Sequence, residues 1–145
     1  MGERTYPLRM VAWELTRNCN LSCMHCRASA ASGPYEGELS TEECRAIIDG
    51  ILSFSEPTVI LTGGEPLMRP DIFDIIEYGN DRGLRMVIAV NGTLVDEGAA
   101  KRLEASGIKR VSLSIDARDE TGHDKFRGVD GSFRAVTGAA GMLKL

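Results

Sequence analysis

Cys19-Asn20-Leu21-Ser22-Cys23-Met24-His25-Cys26 sets three cysteines at C-x3-C-x2-C spacing directly after an apolar run, Leu8 to Thr16. A short irregular loop can turn three thiolates toward one soft metal centre without help from distant chain. Three ligands are an incomplete set, because structural zinc takes four in a closed tetrahedron and the usual four-iron cluster takes four cysteines. The remaining cysteine, Cys44, falls in the amphipathic segment Ser40 to Leu52 and reads as a small core residue. Three cysteines on four irons leave one iron without a protein ligand, an open position where a substrate or cofactor can bind. Zinc completed by a distant fourth ligand, Cys44 or His123, and a redox or disulfide pair are the competing readings of the same residues.

Outward from this loop the chain alternates strand and helix patterns. Leu8 to Thr16 has strand length, with Trp13 as a core residue, and Ala28 to Gly37 reads as loop. Ser40-Thr41-Glu42-Glu43 is a capping box that starts a first helix, whose Ile47, Ile48, Ile51 and Leu52 form one buried stripe. Thr58 to Thr62 is a β-branched second strand that runs into Gly63-Gly64-Glu65-Pro66. A second helix is expected from about Pro70 to Arg82, with proline in its first turn, Gly83 as its stop, and Ile72, Phe73, Ile75 and Ile76 inward. Leu84 to Val90 is a continuous apolar run suited to a strand covered on both faces, closed by Asn91-Gly92. A third helix spans roughly Asp96 to Ser106. In the fourth strand, Ile108 to Asp116, Val111, Leu113 and Ile115 point one way and Ser112, Ser114 and Asp116 the other. Ala117 to Gly131 reads as loop, and Ser132 as the N-cap of a last helix weakened by Gly138 and Gly141.

Strand-helix repeated four times predicts an α/β fold of parallel strands with right-handed crossovers, the opening part of a βα barrel. Ligands in such sheets sit at the carboxyl ends of the strands. The cysteine loop, Gly63 to Pro66, Asn91-Gly92, and Ser114 with Asp116 end four successive strands, so all four stretches are expected on one rim around one ligand. Taken singly, Gly-Gly and Asn-Gly are common turns and a polar strand face can simply be wet; the conjunction carries the expectation.

The cysteine loop resembles the cluster-binding motif of the radical S-adenosylmethionine (SAM) family, in which three cysteines carry a [4Fe-4S] cluster; His25 stands where Tyr or Phe is commoner in that motif and could lie beside the adenine. The resemblance implies Cys19, Cys23 and Cys26 as cluster ligands. Gly63-Gly64-Glu65-Pro66 is similar to the family's SAM-binding motif, where backbone groups and the glutamate hold the ligand's amino group. Asn91 joins the implied SAM site as the third strand's end, Ser114 and Asp116 as the fourth strand's polar positions, and Arg127 as an arginine near the SAM carboxylate. The implied fold is a partial (β/α)6 TIM-like barrel, of which residues 1–145 hold the first four units of the core domain and lack the last two. That shortfall implies either a piece of a longer enzyme, the favoured reading, or a short chain that needs a partner. The implied activity is reductive cleavage of SAM to a 5'-deoxyadenosyl radical that abstracts hydrogen, with electrons from a reductant such as flavodoxin or ferredoxin. Trp13-Glu14-Leu15-Thr16-Arg17-Asn18-Cys19 and Arg127-Gly128 look like members that mature peptides or modify haem precursors, so the implied substrate is a peptide or a small molecule such as a tetrapyrrole.

Composition bounds these readings. With 145 residues, 43% hydrophobic and 26% charged, the chain is long enough for one domain with its own core. A net charge of −4 and the lack of any basic run longer than a pair argue against a nucleic-acid partner. No apolar stretch approaches membrane-spanning length and no signal or myristoylation pattern is present, so the expected address is the cytoplasm, without a membrane partner. Clustered cysteines in that reducing compartment fit a metal site better than disulfides. No side chain stands out as a general acid, base or nucleophile. A non-catalytic cluster- or metal-binding module is the alternative function for the same cysteines.

Overall fold

Alternation along the strands decides how the layers stack. A computed structural model describes residues 7–143. In chain order it contains β1 (Met10–Thr16), α1 (Thr41–Leu52), β2 (Thr58–Gly63), α2 (Ile72–Asp81), β3 (Arg85–Val90), α3 (Glu97–Ala105), β4 (Val111–Leu113), α4 (Glu120–Arg127) and α5 (Ser132–Met142). The strands form one parallel sheet in the order β1-β2-β3-β4. Val59 and Leu61 of β2 and Met86, Ile88 and Val90 of β3 are buried against the helices, in one cluster with Ile48, Ile75 and Leu103. Each such fully buried side chain contributes about 1.5–3 kcal/mol. The intervening residues face the other side, where no helix covers β1 among the described residues and Met10 is 60% exposed.

Local signals account for most boundaries. Ser40 Oγ accepts from the Glu43 N–H at 3.2 Å while the Ser40 N–H donates to the Glu43 carboxylate at 2.8 Å, the reciprocal cap expected for α1. Cys44 is fully buried in the core, and Trp13 is partly buried against it.

Five expectations need correcting. Asp71, not Pro70, occupies the N-cap of α2, because the Asp71 carboxylate is held by Arg69 and the chain turns there through a 3-10 turn, Pro66–Met68. β4 is three residues long rather than nine: its ladder to β3 runs from Ile88↔Val111 to Val90↔Leu113, and β3 ends at Val90. Ile115 lies beyond that ladder and is 51% exposed. Ile47, expected in the stripe of α1, is 37% exposed, since Cys44, Ile48 and Ile51 already fill that face. The expected loop 117–131 contains α4, whose buried residues are His123, Asp124 and Arg127, so it has no apolar stripe to betray it. Finally, Gly131 caps α5 in place of Ser132, and the Asp124 carboxylate accepts from the Gly131 and Phe133 N–H groups and the Ser132 hydroxyl.

Candidate functional site

The carboxyl ends of the strands converge on the cysteine loop through backbone contacts that only glycine permits. The Gly64 N–H donates to Thr16 O at 2.7 Å and the Glu65 N–H to Asn18 O at 2.8 Å, which extends β2 along the chain leaving β1. A Cβ on Gly63 or Gly64 would lie 2.3 Å from Thr16 O or Asn18 O respectively. The glycine pair thus serves close approach of two backbones. From the other side, the end of α4 clamps the loop: the Ser22 N–H donates to Arg127 O at 3.1 Å and the Met24 N–H to Phe126 O at 3.0 Å. Gly128, at φ 73°, packs so tightly on Ser22 that a Cβ would come within 2.6 Å of its carbonyl oxygen.

An open cleft of about 260 Å³ lies at this rim. Cys19, Cys23, Cys26, His25, Gly63, Gly64, Asn91, Ser114 and Arg127 all line it. Three residues of the expected set do not. Glu65 is fully buried beneath the rim, its two carboxylate oxygens accepting from the Leu67 N–H at 3.0 Å and the Asn91 N–H at 2.7 Å. Burial pushes its pKa up to about 7, against the pull of those two donors. Pro66 is buried at the start of the 3-10 turn. Asp116 takes the Arg127 guanidinium at 2.5 Å and holds it in place from outside the cleft. Glu65 therefore braces the end of β3, and Asn91 carries that brace onward: its Nδ2 donates to Asn20 at 2.9 Å and reaches to 4.0 Å from Cys19 Sγ.

The sulfurs are free thiols, Cys19 buried and the other two half-buried. Each has an N–H pointed at it: Leu21 N at 3.5 Å from Cys19, Ala30 N at 3.2 Å from Cys26, and Arg127 Nη1 at 3.6 Å from Cys23. Burial raises the Cys19 pKa, partly offset by the Leu21 donor. Donors of this kind favour thiolates, the form that binds iron. Neither residue named as a fourth ligand stands free for that role: Cys44 of α1 is packed in the core with Arg69 Nη2 4.0 Å from its sulfur, and His123 Nδ1 accepts from the Asp116 N–H while its ring meets Phe133 edge-on. Among the described residues no three His, Cys, Asp or Glu side chains converge on a single ion.

Sequence reasoning missed several parts of this rim. The Phe126 ring stacks on His25 with centroids 4.4 Å apart and planes 16° from parallel. Glu14 pairs with Arg27 at 2.8 Å across the cleft mouth. The helix that brings Phe126 and Arg127 does carry a signal, Asp119 as N-cap and Gly128 as a left-handed stop.

The family model for the radical SAM superfamily matches residues 13–144. The chain belongs to that superfamily. Its relatives include the AdoMet-dependent heme synthase of Nitratidesulfovibrio vulgaris, 48% identical over 136 residues, which are 94% of this chain and 37% of that protein. The mycofactocin maturase MftC of Mycobacterium ulcerans is 38% identical over 124 residues, covering 85% of this chain and 33% of that one. Among solved structures, native anSMEcpe with bound AdoMet superposes with a TM-score of 0.74 at 28% identity, over 95% of this chain and 41% of that one. The chain therefore spans well under half the length of these relatives. Radical SAM neighbours share the TIM-like barrel to which the four parallel βα units correspond. The superfamily uses a [4Fe-4S] cluster and SAM, and its members related to this chain are enzymes. Three free sulfurs on one cleft, each with its own N–H donor, fit that cluster. No helix among the described residues is long and apolar enough to cross a membrane.

Proposed function

We propose that this chain binds a [4Fe-4S] cluster through Cys19, Cys23 and Cys26 and SAM in the adjoining cleft, as the core of an enzyme that cleaves SAM reductively. The observation that carries the reading is the meeting of three donor-braced thiols with the ends of β2, β3 and β4 on one cleft. When bound, the reduced cluster supplies one electron that splits SAM into methionine and the 5'-deoxyadenosyl radical used for hydrogen abstraction. The chain's own residues bind and orient. Backbone groups at Gly63 and Gly64 receive the ligand's ammonium, and Ser114 and Arg127 its polar remainder, with His25 beside the adenine. Glu65, Pro66, Asn91 and Asp116 hold those groups in position, Glu65 through Asn91 and Asp116 through Arg127. Charge-assisted bonds of this kind gain strength in a site that excludes water.

Electrons come from a cytoplasmic reductant of the flavodoxin or ferredoxin class. The substrate is a tetrapyrrole, favoured over a peptide because identity to the heme synthase exceeds identity to the maturase by ten points, 48% against 38%. The domain corresponds to the first four units of a radical SAM core.

Anaerobic reconstitution with iron and sulfide, then addition of SAM and dithionite, tests the proposal. Formation of 5'-deoxyadenosine, abolished together with the cluster's visible absorption in Cys23→Ala, is the expected result. A cluster whose spectrum ignores SAM and yields no 5'-deoxyadenosine would leave only the non-catalytic module, and a single tetrahedral zinc on the same cysteines would remove the cluster and leave a metal-binding module.

A further inference from the structure

Asn91-Gly92-Thr93, at the end of β3, and Asn20, beside the first cysteine, close a ring of hydrogen bonds between stretches 71 positions apart. Gly92, at φ 87°, turns the chain so that the Thr93 N–H points back at Asn91 Oδ1, at 2.8 Å. A backbone N–H can only donate, so the Asn91 atom that it meets is the oxygen, and the turn itself fixes which way the amide faces. The Thr93 hydroxyl donates to the same oxygen at 2.8 Å and accepts from Asn20 Nδ2 at 2.7 Å. Asn20 Oδ1 in turn accepts from Asn91 Nδ2 at 2.9 Å. All the side-chain bonds run the same way round the ring, an order in which each bond polarises the next.

A primary amide carries two N–H bonds. Asn20 takes one of those on Asn91, and the same nitrogen lies 4.0 Å from Cys19 Sγ, so the second is the one that faces the sulfur. Turned over, the amide would set its carbonyl oxygen against a thiolate and leave the Thr93 N–H opposite another donor. Both Asn91 and Cys19 are buried, and away from water the sign of that contact counts for more. Glu65 holds the Asn91 backbone N–H at 2.7 Å, which fixes the end of the strand but not the face that the side-chain amide turns to the sulfur. That choice belongs to Thr93 and Asn20, neither of which lines the cleft. Donors around a ligating sulfur stabilise the more negative, reduced form of a cluster and raise its potential.

We infer that Thr93 and Asn20 are positioning residues for the cluster: acting through Asn91, they present an N–H to the Cys19 sulfur and so draw the cluster's reduction potential upward. The inference rests on the cluster-binding reading, and its test has an arm that needs no cluster. In the nitrogen-15-labelled chain without metal, the Asn91 side-chain amide protons are expected to exchange slowly. Thr93→Val keeps the shape and removes the hydroxyl, and should speed that exchange about fivefold, the scale of one net hydrogen bond. After reconstitution, a redox titration is followed by electron paramagnetic resonance. At the original midpoint potential, the ratio of reduced to oxidised cluster should fall about fivefold in Thr93→Val. Asn20→Ala, which opens the ring from the other side, should shift it in the same direction. Thr93→Ser keeps a hydroxyl and should restore both readings, whereas Thr137→Val, at an exposed threonine of α5, should change neither. A loaded cluster whose potential is unmoved in Thr93→Val would make the ring a brace only and overturn the inference. So would a Thr93→Ser variant that behaves like the valine, or an Asn91 amide whose exchange ignores Thr93→Val. Failure of the cluster-binding reading looks different: no cluster assembles even in the unaltered chain, and the inference about its potential falls with it.

Discussion

Two arginine-aspartate pairs close this chain on itself, and they differ in where their spare donors go. At the foot of α2, Arg69 grips Asp71 through Nε and Nη2 and spends its other bonds on Leu15 O and Leu39 O, at 2.9 and 3.0 Å. That pair ties the end of β1, the approach to α1 and the start of α2 together, and Thr41 donates to the same aspartate. At the end of α4, Arg127 lies on Asp116 and turns Nη1 toward Cys23 Sγ, along the wall of the cleft. The first pair consumes its donors inside the fold. The second leaves an N–H donor facing a sulfur and a space, where a thiolate or a ligand's carboxylate can take it.

The largest effect is therefore expected at the first pair. Arg69→Ala strands the Asp71 carboxylate and two backbone carbonyls, and should cost about 3–5 kcal/mol in denaturant unfolding. Asp71 also sets a sign for pH. Burial raises its pKa, but Arg69 and Thr41 outweigh that and hold it below the ordinary aspartate value. A depressed folded-state pKa means stabilisation that is present above the ordinary carboxylate range and lost as acid titrates through the lower folded value. Arg69→Ala should remove that acid limb; a loss under 1 kcal/mol with the limb intact would break the comparison.

Arg127→Gln is expected to cost less, about 2 kcal/mol, because its pair is more open to solvent, at 25% exposure for Asp116 against 16% for Asp71. Its signature is elsewhere. Removing a positive charge and an N–H donor from Cys23 should shift the potential of the reconstituted cluster to more negative values, read by a redox titration followed by electron paramagnetic resonance. Asp116→Asn, which removes the negative charge that offsets the guanidinium, should move the potential the opposite way, to less negative values. If Arg127→Gln destabilises as much as Arg69→Ala and leaves the potential unmoved, the two pairs are alike and Arg127 is structural.

The same contrast explains what was legible in the sequence. Strands and helices built from apolar periodicity, such as Thr58 to Thr62 with Ile72, Ile75 and Ile76, could be read because their burial is written in residue type. The three cysteines, close in sequence, are expected on one rim, and all of them line one cleft. The polar clamp could not be read, because α4 buries His123, Asp124 and Arg127, residues that ordinarily mark a solvated loop, and its partners lie about a hundred positions away on the cysteine loop. Glu65 is the converse case. A glutamate beside two glycines at a strand end reads as a ligand contact, and its oxygens accept from the backbone N–H groups of Leu67 and Asn91, partners that no local pattern reveals.

The smallest effect isolates the outer edge of that clamp. His25 stacks on Phe126 beside the Met24-to-Phe126 backbone bond, but the histidine is exposed, so the ring pair should contribute about 0.5–1.5 kcal/mol. His25→Ala should barely move the global unfolding midpoint, because the core does not depend on it. Hydrogen exchange gives a finer measure: losing roughly 1 kcal/mol locally should speed exchange of the Met24 amide about fivefold, while the amides of β3 keep their protection. His25→Phe, which restores a planar ring, should return the Met24 amide to its original rate. If exchange at Met24 ignores both substitutions, Arg127 and Gly128 alone hold the loop, and the aromatic contact serves the cleft instead of the clamp.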